Sequence, residues 1–203
     1  VVTAVVRPPR QARSKEAWER ILAAGTDLLV TDGPRAVTVQ AVCSLARVAP
    51  TAIYARVDGM AGLFWAIYEH NLAQLRAADR RALTQAARHE AGSMARVRVV
   101  VKGLCATFEA HRDVLEPIIR YSASDARMRE RGSESSAELV EEVADLLGGG
   151  LAAHDVARML HHERIIRVLY GEAWLGSRAE SDRQFRERLT RLALTRLAIA
   201  DEG

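Results

Sequence analysis

Apolar residues recur along this chain at intervals of three and four, the period of an α-helix rather than the alternation of a strand. Trp18, Ile21, Leu22, Gly25, Leu28 and Leu29 mark one face of a first helix, which Asp32-Gly33-Pro34 brings to an end. Thr38 stands where a side-chain oxygen caps a short helix carrying Val39, Val42 and Leu45. A further short helix is predicted from Pro50, whose missing N–H costs nothing in a first turn. Leu63, Phe64, Ile67, Tyr68, Leu72 and Leu75 stripe a long fourth helix. More helices are expected at 94–111, at 114–123 with Pro117 bending or starting it, and at 135–147 behind the capping box Ser135-x-x-Glu138. Two amphipathic helices close the chain. One runs over about 154–176, with Leu160, Ile166, Leu169, Tyr170, Ala173 and Trp174 apolar; the other follows the capping box Ser181-x-x-Gln184, with Phe185, Leu189, Leu192 and Leu197 apolar. No stretch alternates as a strand does. The pattern predicts an all-α protein.

Composition adds bounds to this picture. A chain of 203 residues that is 49% hydrophobic holds one large domain or two small ones, with enough apolar material for a core. Its uncharged apolar runs, such as Val99–Val101, are too short to span a bilayer. The apolar residues 1–6 precede basic ones rather than follow them, and no small-residue cleavage site closes the run, which argues against a secretory signal. Cys43 and Cys105 have neither CxxC nor zinc-ligand spacing and read as small buried side chains in a reducing compartment. A cytoplasmic protein without membrane or metal partners is expected. Charge is placed unevenly: residues 1–64 hold eight basic and five acidic side chains, a balance of +3 that equals the net charge of the whole chain. Arg7, Arg10, Arg13 and Lys15 lie within the first fifteen residues, with no acid among them. Such an arm suits a polyanion, because neutralising phosphates releases counterions; charge alone leaves a solubilising arm equally open.

The segment 35–56 carries the most specific signal. Two helices of about eight and six residues flank a tight turn, Ala46-Arg47-Val48-Ala49, and Val42, Leu45, Val48 and Ile53 are able to face the first helix. A helix so short is not stable alone and must be held by its neighbours. Its other face, Pro50, Thr51, Ala52, Ala55 and Arg56, is small and polar, so its backbone can approach a DNA major groove closely. A generic trihelical subdomain remains the alternative at this level.

From Trp18 to Phe64 the chain resembles the N-terminal domain of TetR-family (tetracycline-repressor-like) bacterial regulators. The matching residues are Arg20, Ile21, Leu22, Ala23, Ala24, Leu28, Leu29, Gly33, Val37, Thr38 and Val39, then Ala46, Val48, Ala49, Pro50, Thr51, Ala52, Ile53 and Tyr54, and finally Leu63 and Phe64. The resemblance implies a flexible basic arm at 1–14, a three-helix helix-turn-helix head at 15–58, and a helical ligand-binding and dimerisation domain at 59–203. It implies a homodimer that binds a palindromic double-stranded DNA operator and is released by a small-molecule effector, the repressor role being the family's default. Thr38, Gln40 and Tyr54 would position the head on phosphates, with Val39 beside them. Pro50, Thr51 and Ala52 would meet base edges, and Arg47 and Arg56 would read guanine or grip phosphate. Three positions depart from the family pattern: Arg47 replaces the turn glycine, Val57 an aromatic plug, and Met60 a phosphate-gripping lysine. A helical ligand-binding or interaction protein of the same fold, its DNA binding weakened or lost, is the alternative they raise.

The resemblance also places a ligand pocket among the middle helices, for which Phe108, His111, Arg120, Tyr121, Ile166, Tyr170 and Trp174 are candidates. It assigns the last two helices to the dimer interface, with Leu160, Leu169, Phe185, Leu189 and Leu192 as candidates. Catalysis has no constellation to support it. Adjacent His161 and His162 point about 100° apart on a helix and cannot converge on one ion. There is no HExxH or GxSxG motif, and Gly148-Gly149-Gly150 follows no strand and precedes no lysine. No enzyme and no cofactor are expected.

Overall fold

The computed structural model describes residues 12–90, 93–173 and 179–201. The helices among them are α1 (Ala12–Thr31), α2 (Val39–Ala46), α3 (Pro50–Tyr54), α4 (Gly59–Ala86), α5 (Met94–Ala110), α6 (Arg112–Ser122), α7 (Ala126–Leu146), α8 (Gly150–Tyr170) and α9 (Asp182–Asp201). Short 3₁₀ turns occur at Pro34–Ala36 and Gly171–Ala173. No strand is present among the described residues, and none of their helices is long and apolar enough to cross a membrane. The chain divides into two compact units: residues 1–74 with 117–128, and residues 75–116 with 129–203. The arm residues 1–11 lie outside the described residues.

The first unit is built on the stripe that periodicity singled out. Trp18, Ile21, Leu22 and Leu29 of α1 are buried, as are Leu63, Phe64, Ile67 and Tyr68 of α4. Gly25 sits where a Cβ would collide with the Ile67 side chain, so a glycine is what lets α1 and α4 lie this close. Asn71 fastens the same contact: its amide donates to Thr26 Oγ1 at 2.9 Å and to the Ile67 carbonyl at 2.8 Å. Tyr68 donates to the Met128 carbonyl at 3.1 Å, and Tyr121 packs on Phe64 with ring centroids 4.1 Å apart.

The second unit has one apolar core, to which α5 gives Val97, Val100, Val101 and Leu104, α7 gives Leu139 and Val143, and α8 gives Val156 and Leu160. Phe185, Leu189 and Ala193 of α9 complete it. Gly103 lets α5 lie close to α4: a Cβ there would lie 2.6 Å from that of Ala82.

Several helix ends differ from their predicted positions. α7 begins at Ala126, where Asp125 Oδ1 accepts the Met128 N–H at 2.9 Å, and Ser135 is a buried interior residue rather than a cap. A Ser-x-x-Glu spacing within a helix reproduces the capping signature without its geometry. α6 starts at Arg112 and continues through Pro117, while α8 runs over Gly150–Tyr170 rather than 154–176. The Ser181 box does form: the Ser181 N–H donates to Gln184 Oε1 at 3.0 Å, and the Gln184 N–H donates to Ser181 Oγ at 3.4 Å. All three glycines of Gly148-Gly149-Gly150 have positive φ, which a bulkier residue adopts only with strain.

Candidate nucleic-acid interface

The head is assembled from local rules. Thr38, extended at φ −120°, ends the loop before α2, and its hydroxyl accepts the Ala41 N–H at 3.1 Å. That bond satisfies a donor which the first turn would otherwise leave open. α2 stops at Arg47, whose φ of 53° and ψ of 53° are left-handed, the one such non-glycine among the described residues. The reversal lets the Val48 N–H reach the Cys43 carbonyl at 3.1 Å. It turns the chain into α3, which opens at Pro50 and is five residues long.

Neighbours hold these short helices in place. Val42 and Ile53 are fully buried, and Arg20 of α1 donates through Nε to the Ala46 carbonyl at 3.2 Å, at the negative end of α2. Val57 is also buried; its Cβ lies 3.0 Å from where Gly62 would carry one, so the smaller plug fills its site. Leu45 behaves differently from expectation. It is 52% exposed, because a two-turn helix presents only part of its apolar stripe to α1.

All nine candidate DNA-contacting residues lie in this unit. Thr38, Gln40, Arg47, Pro50, Thr51 and Tyr54 are exposed, Tyr54 by 53%, while Val39, Ala52 and Arg56 are half-buried. Arg56 is engaged with α1, where its guanidinium donates to Ser14 Oγ. Met60, at the start of α4, is exposed and carries no charge.

The described ligand-pocket candidates lie on or at the ends of α5, α6 and α8. Phe108 lines a cleft of about 90 Å³ in the second unit, together with Arg112, Arg164, Arg167, Val168 and Phe185. His111 caps the end of α5, with its Nδ1 2.8 Å from the Thr107 carbonyl. Ile166 is half-buried and Tyr170 exposed on α8; Arg120 and Tyr121 belong to the first unit, and Trp174 lies outside the described residues. The dimer-interface candidates differ in exposure. Leu160, Phe185 and Leu189 are already buried in the chain's own core and have no area left to lose to a partner. Leu169 is half-buried, and Leu192 alone of the five is exposed, by 41%.

Sequence reasoning missed a buried ion pair in the second unit. Arg164 of α8 and Asp79 of α4 are both almost fully buried, with Nη1 and Oδ1 3.8 Å apart. Arg164 also donates to the Leu160 and Leu104 carbonyls, at 3.2 and 3.1 Å, and lies over the Phe108 ring. Neither Asp79 oxygen has a hydrogen-bond partner. Burial pushes this carboxyl above its ordinary range, against the opposing pull of Arg164 and then Arg76. Burial likewise pushes the Cys105 thiol up to about 11, which keeps it protonated and a poor nucleophile. No group of three or more His, Cys, Asp or Glu among the described residues is placed to hold a metal ion.

No protein-family model matches the chain, and no curated protein matches it in sequence. Solved structures do match it in fold. A TetR-like transcriptional regulator from Rhodococcus sp. RHA1 superposes with a TM-score of 0.67 at 19% identity, over 95% of this chain and 99% of that one. A TetR-family transcriptional regulator from Streptomyces coelicolor gives 0.68 at 18% identity, over 90% and 89%. A bacterial regulatory protein of the same family from Rhodococcus RHA1 gives 0.66 at 16% identity, over 89% and 96%. The chain has the all-α fold of TetR-family regulators.

Proposed function

We propose that this protein is a sequence-specific DNA-binding transcriptional regulator of the TetR type, a homodimeric repressor freed from a palindromic operator by a small-molecule effector. The observation that carries the reading is the head: a five-residue α3, pinned through Ile53, that turns Pro50, Thr51 and Tyr54 outward. Two such helices, one per subunit, would enter successive major grooves about 34–36 Å apart. Thr38, Gln40 and Tyr54 then hold phosphates with Val39 beside them, Pro50, Thr51 and Ala52 meet base edges, and Arg47 and Arg56 supply charge. The arm 1–14 adds phosphate contacts, 15–58 is the reading head, and 59–203 binds the effector and the second subunit. The protein works in the cytoplasm, without turnover or cofactor.

The departures from the family pattern are compatible with this reading. Arg47 takes up the left-handed turn and Val57 fills its site, so neither disturbs the geometry around α3. Met60 removes one cation, which the arm and Arg47 can replace. α4 runs unbroken from Gly59 to Ala86 and begins just after the reading helix, which gives effector binding a stiff element to act through.

The test is a footprint on the DNA flanking the protein's own coding region, followed by anisotropy titrations of the protected fragment over a range of salt. A protected palindrome is expected, with affinity falling linearly in log salt. No protected sequence and no salt-dependent retention on heparin would favour the alternative, a ligand-binding protein of the same fold that no longer reads DNA.

A further inference from the structure

The cleft beside Phe108 has walls of two kinds. Phe108, Val168 and Phe185 are apolar, and Arg112, Arg164 and Arg167 bring three guanidinium groups to it. Two of these are already matched. Arg164 faces Asp79, and Arg167 donates to Asp182 at 2.7 Å with Glu172 3.6 Å away. Of the two carboxylates that line the cleft, Asp182 is the one held by Arg167, and Glu109 accepts both its bonds, at 2.8 and 3.0 Å, from Arg186. Arg112 is different. Among the described residues it faces no carboxylate, and its recorded bond is a long one, 3.4 Å from Nη2 to the Arg167 carbonyl at the end of α8.

The backbone makes room for this guanidinium. Gly171, at φ +74°, ends α8, and a Cβ there would lie 3.1 Å from Arg112 Nη2. Beside it, Arg167 has a buried Nε–H without a hydrogen-bond partner. That atom is closed to solvent, so it is Arg112 that offers donors to the cleft. One unmatched guanidinium and three apolar side chains together describe the complement of a small singly charged acid.

We propose that this cleft binds a small monocarboxylate, its carboxyl group received by Arg112 and its short apolar body lying against Phe108, Val168 and Phe185. The inference deepens the reading of the second unit as the effector-binding part and rests on it. A space of about 90 Å³ encloses the carboxyl and a few carbons, with longer chains emerging at the open side. The anion also reaches the coupling element: Arg164 borders the cleft and has its counter-charge, Asp79, on α4.

The test is calorimetric titration of the full chain, free of DNA, with sodium acetate, butyrate and hexanoate at constant ionic strength, and with butyramide as the uncharged isostere. Saturable binding of butyrate and none of butyramide is expected. Arg112→Gln should weaken butyrate binding about tenfold or more, the worth of a hydrogen bond to a charged group, and Arg112→Lys should restore part of it. No saturable binding by any of the three acids, equal binding of the amide, or unchanged affinity in Arg112→Gln would overturn the proposal. The comparison of acid with amide needs no variant, so a misfolded Arg112→Gln leaves the test decisive. Because DNA is absent, failure here leaves operator binding standing, and a failed footprint leaves this titration unaffected.

Discussion

Replacing Arg47 by glycine should stabilise the protein while weakening its hold on DNA. Arg47 occupies φ 53°, ψ 53°, where an L-residue with a Cβ bears a cost of about 1–2 kcal/mol that glycine does not. Glycine gives back about 0.5–1 kcal/mol because its unfolded chain is freer. The difference leaves Arg47→Gly more stable by about 0.5–1 kcal/mol, a rise in Tm of about 1–4 °C for a domain of this size. Arg47→Ala is the control: it removes the same charge but keeps the left-handed Cβ, so its stability should stay within about 0.5 kcal/mol of the parent. Both variants should lose the same phosphate contact and flatten the slope of log affinity against log salt by about 0.9 per subunit. Thermal and urea melts read the first effect, and anisotropy titrations over a salt series read the second. If Arg47→Gly melts below the parent, the strain argument fails. If the salt slope of both variants is unchanged, Arg47 makes no phosphate contact.

Other substitutions probe separate parts of the molecule. Thr38→Ala removes the oxygen that caps α2 and should cost about 1 kcal/mol in a urea melt; no change would show the cap to be dispensable. Gly103→Ala should lower stability by about 1 kcal/mol, because crowding against Ala82 costs about 1–3 kcal/mol and outweighs a helix-propensity gain of about 1 kcal/mol. A more stable Gly103→Ala would mean that the two helices are not this close. Burial, then Arg164 and His162, lowers the His161 imidazole to about 4, so the folded state binds its proton less readily than the unfolded chain does. Its contribution is complete above about pH 6.5 and is lost as pH falls toward about 4. His161→Gln should flatten the stability curve over that window, and an unaltered acid limb in calorimetry would refute the assignment.

The parts of this fold legible in sequence are those set by neighbours along the chain. Helical period located the stripes of α1 and α4, and Thr38, Pro50 and Ser181 announced their helix starts because capping chemistry is completed within one turn. Ser135 misled for the same reason: its spacing satisfies a local rule, while the decision to continue α7 belongs to packing around it. A stripe also says that residues are buried without saying by what. Leu160, Phe185 and Leu189 have the apolar pattern of a partner-facing helix yet fill the chain's own core. Charges distant in sequence were beyond reach altogether. Nothing near Asp79 or Arg164 in the chain marks either as buried, and Arg112 gains its meaning only where α6 meets the end of α8.

The Asp79–Arg164 pair restricts how this sequence is free to drift. Loss of either partner alone strands a charge in the interior, at a cost of about 3–5 kcal/mol, a large share of the stability of a whole domain. Exchange of both for apolar residues of similar volume is often neutral or stabilising. The two positions therefore behave as a single heritable character: descendants of this chain keep both charges or abandon both. A lineage carrying only one of them must have rebuilt the surrounding interior first.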